Sequence, residues 1–325
     1  MPLDMAVLLI DDFSNRIYEY DNVVRYDFDE TENIFTITSD ESFDQTAEAQ
    51  HGDWVLEAFV SELEDDVYAN TQIICIDVET GANGTYSSGD ELSKLLGFDA
   101  FFSHEENGFL YYHPDTVDGW EVHPELGVGY IPEIAVPIET ILEDMGYLND
   151  DGSADAMVCF SMSISGADAM DYEVPTIEFF DSLKFPLIQA APNTSQGPED
   201  WGTSYDDQVI NVGAWTVGTS DFLAYETAQD GTLIFPPGEG LLSSPGTLNT
   251  LDILANGVVF HDWNDGVTSE GTFGTSFATP RVAGQMVNSF YNMNPDYVDF
   301  IRDNLTHDQA FQIWLDFNAY KISYV

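Results

Sequence analysis

The fold prediction starts from one stretch near the C-terminus, Gly274-Thr275-Ser276-Phe277-Ala278-Thr279-Pro280, followed by Arg281-Val282-Ala283-Gly284. Its glycine permits a tight turn, and the apolar residues that follow predict a helix with a proline in its first turn. The Ser276 hydroxyl would then lie at a helix N-terminus, where the helix dipole favours developing negative charge. The stretch suits a nucleophilic serine, although a serine that merely caps a helix gives the same local pattern.

The composition is globular but extremely acidic. Of 325 residues, 44% are hydrophobic, which is enough for a sizeable core. Lys and Arg number 7 against 59 Asp and Glu, a formal net charge of -52. This balance argues against nucleic acid as a partner, because phosphate contacts need cations. Three interpretations of the acidity stay open: adaptation to high salt, structural Ca²⁺ bound by carboxylates from separate segments, and a soluble surface without a partner.

Targeting and metal signals are absent from the sequence. The first four residues lack the basic region of a signal peptide, and no apolar stretch approaches the roughly 18 residues that span a bilayer. We expect no membrane insertion, and both a cytoplasmic protein and signal-independent secretion stay open. Cys75 and Cys159 lie in apolar runs and are expected to be buried free thiols. The spacing of His104, His113 and His123 fits no compact metal motif, so we predict no metal site there.

Strand and helix patterns alternate along most of the chain. Residues 5–10 form an apolar run typical of a strand buried on both faces, and Asp11 follows it. Helical spacing over 47–60, with His51 near its start, precedes a strand at 72–78, which predicts a parallel sheet. Further strands are expected at 34–38, 157–164, 185–191, 208–214, 253–255 and 258–260, and further helices at 138–145, 175–182, 279–291 and 310–317.

This alternation predicts a doubly wound α/β domain with a mostly parallel sheet and helices on both faces. Without a repeat or a linker, residues 1–325 are expected to form one domain, with insertions around 18–45 and 95–150. Since the chain begins about ten residues before Asp11, we expect no inhibitory pro-domain.

The motifs resemble those of the subtilisin-like serine proteases. The Gly-Thr-Ser-x-Ala-x-Pro stretch is similar to the nucleophile motif of that family, Ala6 to Asp11 to its aspartate strand, and His51-Gly52-Asp53-Trp54-Val55 to its His-Gly-Thr-His-Val segment. The order Asp, His, Ser is the one known for subtilisin. The resemblance implies a three-layer α/β/α fold and a serine endopeptidase that acts on polypeptides with Asp11, His51 and Ser276 as catalytic residues and needs no cofactor for its chemistry.

Other segments extend the resemblance. Ala190-Ala191-Pro192-Asn193 is similar to the family's Ala-Ala-Gly-Asn, which implies Asn193 as the oxyanion donor. Residues 160–166 are similar to the segment that pairs with extended substrate. This similarity implies a substrate-binding role for residues at two strand ends: Ser163, Ile164, Ser165, Gly166 and Ala191.

Four residues depart from the family pattern. Phe13, Pro192 and Ser195 replace glycines, and Trp54 replaces the second histidine. They change the loops around the reactive groups and leave the reactive side chains intact. An alternative therefore stays open, in which the chain is a subtilisin-like scaffold that binds peptides and cleaves them poorly or not at all.

Overall fold

The computed structural model describes the chain in segments separated by gaps. These are residues 5–29, 34–38, 42–44, 46–78, 95, 102–106, 109–113, 121–122, 129–130, 137–148, 157–163, 184–191, 209–216, 226–227, 233–234, 240–241, 251–261 and 270–316.

The strands fall into one large sheet and several two-stranded hairpins. In chain order they are β1 (Met5–Asp11), β2 (Val23–Asp29), β3 (Ile34–Ile37), β4 (Thr71–Asp77), β5 (Phe102–Glu106), β6 (Phe109–His113), β7 (Glu121–Val122), β8 (Gly129–Tyr130), β9 (Met157–Met162), β10 (Leu187–Ala190), β11 (Ile210–Thr216), β12 (Glu226–Thr227), β13 (Leu233–Ile234), β14 (Gly240–Leu241), β15 (Ile253–Asn256), β16 (Val258–His261) and β17 (Glu270–Phe273).

The large sheet has the order β14-β11-β10-β9-β1-β4-β2-β3, and β15 also pairs with β11. Its pairings are parallel except those of β3 with β2 and β14 with β11. Strand β1 lies in the middle of this sheet, and all seven of its residues are buried. The unbroken apolar run predicts such a central strand. Asp11 is in register with Asp77 of β4.

The helices cover this sheet. They are α1 (His51–Val60), α2 (Asp65–Tyr68), α3 (Pro137–Asp144), α4 (Thr275–Tyr291), α5 (Pro295–Asn304) and α6 (His307–Asp316), together with a 3₁₀ helix at Asn15–Glu19. Helix α4 packs against β9, β10, β11 and β15 and against α1. The result is a mostly parallel, three-layer α/β/α arrangement, as the alternating pattern predicts.

Most predicted elements are confirmed within a few residues, and two details differ. The acidic segment after β1 contains a hairpin whose first strand, β2, joins the central sheet beside β4. Helix α4 begins at Thr275, so Pro280 lies inside the helix and not in its first turn. The helix predicted at 175–182 lies outside the described residues.

Burial of Cys75 agrees with the thiol prediction. Burial also raises the pKa of this thiol well above its ordinary value, so it stays protonated. Cys159 lies on β9, on the other side of β1. Two strand spacings amount to about 9.6 Å, which is too far for a disulfide.

Among the described residues, no helix is long and apolar enough to cross a membrane.

Candidate active site

Asp11 and His51 meet at the carboxyl end of β1. The Asp11 side chain is 1% exposed, and its Oδ1 lies 2.7 Å from His51 Nδ1. The same oxygen accepts a hydrogen bond from the Asp12 backbone N–H at 2.8 Å. A carboxylate at Nδ1 favours the tautomer with its proton on that nitrogen, which leaves a lone pair on Nε2. This is the arrangement that a general base requires.

The charge of Asp11 also affects the proton affinity of the imidazole. Burial lowers the pKa of His51, but the Asp11 carboxylate, the hydrogen bond to it and the charge of Asp12 together raise that pKa above its ordinary value. The His51 side chain remains 43% exposed, so a reactant can approach the imidazole from solvent. Proton transfer through this histidine is therefore both electrostatically supported and sterically open.

The turn after β1 is joined directly to the first turn of α1. The Gly52 backbone N–H donates to the Asp12 carbonyl at 2.7 Å. A Cβ at position 52 would lie 2.4 Å from that carbonyl oxygen and 2.7 Å from the Phe13 ring. Position 52 therefore has to be glycine for α1 to approach this closely, and the approach brings His51 onto Asp11.

Asp53 connects the same helix end to Ser14. Its Oδ2 accepts from the Gln50 backbone N–H at 2.8 Å and from Ser14 Oγ at 2.6 Å, and its Oδ1 accepts from the Ser14 backbone N–H at 3.0 Å. The bond to Gln50 is half of a capping box at the start of α1. Burial raises the pKa of Asp53, and its hydrogen bonds oppose that rise.

Asp77 holds the turn from the side of β4. Its Oδ1 accepts from the Phe13 backbone N–H at 2.6 Å, and its Oδ2 pairs with Arg25 Nη2 at 2.7 Å. Arg25 also binds Asp27 Oδ1 through Nε at 2.5 Å and Asn15 Oδ1 through Nη1 at 3.2 Å.

Ser276 lies in the first turn of α4, and the backbone of Gly274 caps that helix. The sequence pattern also allowed Ser276 to be the cap, and the structure places Gly274 there instead. The Phe277 ring lies 5.0 Å from the His51 ring, between centroids, and packs with Val55, Ala58 and Val259. This contact brings the start of α4 to the imidazole.

Because of Pro280, one backbone carbonyl in the first turn of α4 lacks its regular helical donor. Proline has no backbone N–H, so the carbonyl of Ser276, four residues earlier, receives no regular helical hydrogen bond. Thr279 Oγ1 donates to the Thr275 carbonyl at 3.1 Å. The hydrogen bonding of this turn thus differs from that of an uninterrupted helix.

A second junction joins the other end of α1 to α4. Arg281 Nη1 pairs with Glu62 Oε1 at 2.5 Å, and its Nη2 donates to the Val258 carbonyl at 3.0 Å. Gln285 donates to Glu62 Oε2 at 2.8 Å, and Asn288 Nδ2 donates to the Glu62 carbonyl at 2.8 Å. The helix that carries His51 and the helix that carries Ser276 are therefore fixed to each other.

The substrate-binding residues predicted from the sequence lie partly among the described residues. Ser163 and Ala191 follow the carboxyl ends of β9 and β10, at the sheet edge where Asp11 lies, and both are buried. Ser163 Oγ has no hydrogen-bond partner among the described residues. The other members of the predicted set lie outside them: Ile164, Ser165, Gly166 and the oxyanion candidate Asn193.

Within the described part of the chain, no group of three or more His, Cys, Asp or Glu residues could hold a metal ion.

Sequence reasoning missed Asp77, Arg25 and Ser14. Their contribution depends on pairings between β2, β4 and the turn after β1, and local periodicity does not specify which strand a hairpin strand pairs with. The role of Asp53 could have been predicted from the sequence, because a carboxylate at the third position of a helix forms half of a capping box.

Comparisons with known proteins bear on the fold. No protein-family model matches the chain, and no curated protein matches it. Among solved structures, a protein described as "S41 Psychrophilic Protease" and one described as "Sphericase" each match with a TM-score of 0.52 and 15% identity, over 96% of this chain and 82% of theirs. A cold adapted subtilisin-like serine proteinase matches over 95% of this chain and 80% of its own at a TM-score of 0.47.

The matches at 0.52 show a shared fold. The prediction of a mostly parallel, three-layer α/β/α architecture is therefore confirmed, and at 15% identity the likeness extends no further than the fold.

Proposed function

We propose that the chain is a serine endopeptidase that hydrolyses peptide bonds through Asp11, His51 and Ser276. The observation that carries the proposal is the 2.7 Å contact between Asp11 Oδ1 and His51 Nδ1 at the carboxyl end of β1. The Phe277 ring, at the start of α4, packs against the same imidazole. Three elements distant in the sequence converge there. A histidine oriented by a buried carboxylate beside a helix-start serine is the arrangement that acyl transfer requires.

In the proposed reaction, Ser276 Oγ attacks the carbonyl carbon of the scissile bond as His51 Nε2 takes its proton. The carbonyl π electrons move onto oxygen, and when the tetrahedral intermediate collapses the C–N bond breaks and His51 gives the proton to the departing amine. Water then attacks the acyl-enzyme with the same histidine as base, which releases the acid and restores Ser276. The Asp11 carboxylate stabilises the imidazolium.

The remaining roles belong to the same proposal. The Ser276 backbone N–H and Asn193 would donate to the oxyanion, and loss of such a side-chain donor costs about 10²–10³ in kcat. Ser163 to Gly166 and Ala191 would bind an extended polypeptide as an added strand at the edge where β9 and β10 end. We propose one domain, without a cofactor in the chemistry. Structural Ca²⁺ stays a proposal, which a thermal-melt shift with Ca²⁺ against a chelator would test.

Covalent labelling of the nucleophile tests the proposal. We expect folded protein to react with a fluorophosphonate probe at Ser276, and Ser276→Ala to lose both the labelling and peptide hydrolysis. Peptide mass mapping identifies the labelled residue. Ser289→Ala, a hydroxyl removed from the same helix, is the matched control and should label as the wild type does.

Failure of labelling would favour the alternative scaffold. If folded wild-type protein shows no labelling across pH, salt concentration and Ca²⁺, the endopeptidase proposal is wrong. Peptide binding without cleavage would then support a peptide-binding scaffold of the same fold, which the departures from the family pattern at Phe13 and Trp54 motivate.

A further inference from the structure

The turn of residues 12–14 links Asp11 to the first turn of α1, and one buried and one mostly buried carboxylate hold it from different sides. Asp53 binds both the backbone and the side chain of Ser14. Asp77 binds the Phe13 backbone N–H at 2.6 Å and is itself bound by Arg25. Asp77 belongs to none of the catalytic roles proposed above, yet it is 16% exposed and lies in register with Asp11 on the neighbouring strand.

We propose that Asp77, bound by Arg25, is a positioning residue that holds the Asp11–His51 pair in its working geometry through the turn of residues 12–14. The catalytic consequence rests on the proposed function, whereas the effect on His51 itself does not.

The contacts from Asp77 to the imidazole are continuous. Phe13, which Asp77 binds, is next to Asp12, whose N–H donates to Asp11 Oδ1 at 2.8 Å. The Asp12 carbonyl accepts from Gly52 N–H at 2.7 Å, directly beside His51. A shift of Phe13 would therefore move both a donor to Asp11 and the backbone that carries the imidazole.

The charges around Asp77 determine the pH range in which its carboxylate is ionised and can hold the turn. Burial raises the pKa of Asp77 to about 7, although Arg25 and the Phe13 N–H act to lower it. Asp27 on β2 and Asp12 in the turn raise it further. Only the ionised carboxylate forms the ion pair with Arg25 and the charge-assisted bond to Phe13. Asp77 thus changes charge close to neutral pH.

The two titrating groups have to lose their protons for the site to work. Catalysis needs neutral His51, and the positioning role needs ionised Asp77. Both conditions are met at high pH and fail as the pH falls. The acid limb of the pH–rate profile should therefore report about two protons, with a limiting slope of about two in log rate against pH.

The test is the pH dependence of fluorophosphonate labelling at Ser276 in wild-type protein and in Asp77→Asn. Asparagine keeps an oxygen for Phe13 but loses the charge that Arg25 binds. We expect the slope to fall from about two to about one, and the labelling rate at pH ~8 to fall about 100-fold, because a neutral side chain at position 77 leaves the Asp11–His51 pair misplaced. Asp27→Asn is the matched control, because Asp27 also binds Arg25 but does not touch the turn. It should keep the two-proton limb at slightly lower pH.

A wild-type acid limb with a slope of one overturns the proposal, and this measurement does not depend on any variant folding. Equal profiles for the wild type and Asp77→Asn overturn it as well. Absence of labelling in all proteins contradicts the proposed function, and the His51 Cε1–H NMR resonance, assigned with His51→Gln, then decides. The proposal expects this resonance to show a second titration step near pH 7 in wild type that Asp77→Asn lacks; a single step in both would overturn it.

Discussion

The two ends of helix α1 are attached to the molecule by different chemistry. At the N-terminal end, the Asp53 and Asp77 carboxylates accept hydrogen bonds from the backbone of the turn at residues 12–14. At the C-terminal end, Glu62 forms an ion pair with Arg281, and both side chains are mostly buried (14% and 13% exposed). One end orients His51 relative to Asp11, and the other fixes α1 against the helix that carries Ser276.

The difference has consequences for how each end responds to pH. Burial raises the pKa of both Asp53 and Asp77, so the N-terminal end contains carboxylates whose charge is costly to maintain. A guanidinium remains charged throughout the accessible range, so the cation at the C-terminal end keeps its charge. We infer that the geometry of Asp11 and His51 at the N-terminal end is sensitive to pH near neutrality, where Asp77 changes charge.

The largest expected effect comes from closing the space at the N-terminal end with Gly52→Ala. The new Cβ would lie 2.4 Å from the Asp12 carbonyl oxygen, a backbone atom that cannot rotate away. We expect a loss of about 3 kcal/mol in the free energy of unfolding, measured by urea denaturation. Labelling at Ser276 should fall in the folded fraction as well. A loss below about 1 kcal/mol would show that the turn and α1 can separate without cost.

The C-terminal end can be tested by Arg281→Met, which preserves much of the side-chain volume but leaves Glu62 without its cation. Removing one partner of a mostly buried pair costs about 2–3 kcal/mol, somewhat less than for a fully buried pair. Because the lost ion pair is away from Asp77, the slope of the pH–rate profile should remain as in the wild type. Thermal and urea unfolding measure the first effect, and labelling across pH measures the second.

The double variant Glu62→Gln with Arg281→Met serves as the control. It removes the unpaired charge and should recover part of the lost stability. If the double variant is no more stable than Arg281→Met alone, the cost comes from lost packing and not from the unpaired carboxylate.

The parts of this picture that were predictable from sequence are those encoded by local patterns. The apolar run of β1 indicates a central buried strand, and Asp11 at its end follows from that alone. The Gly-Thr-Ser stretch correctly predicts a helix after Ser276. Its proline was placed in the first turn, however, because proline is common there, whereas the helix begins five residues earlier, at Thr275.

The residues that hold the turn were not predictable in the same way. Arg25 lies in an acidic hairpin, and its significance appears only when β2 pairs with β4 and brings the guanidinium to Asp77. A single aspartate at the end of a strand is usually structural, and nothing in its neighbours along the chain distinguishes Asp77. Partners separated by about fifty residues are set by strand order, which local periodicity does not specify.

The smallest expected effect, from Gly284→Ala, tests whether the two ends of α1 are independent. A Cβ there would lie 2.9 Å from Glu62 Cβ and 3.0 Å from the Phe59 carbonyl. Alanine also favours the helix by about 1 kcal/mol, which offsets part of this clash. We therefore expect the free energy of unfolding to fall by only about 1 kcal/mol.

Gly52 and Phe59 are seven residues apart on one helix, or about 10 Å, so Gly284→Ala and Gly52→Ala should have additive effects on the free energy of unfolding. Gly284→Ala and Arg281→Met act on the same contact with Glu62, so their combined cost should be smaller than the sum by about 0.5 kcal/mol or more. Urea denaturation of the single and double variants measures both cycles. Strong coupling in the first cycle would mean that α1 transmits strain along its length and that its two ends are not independent.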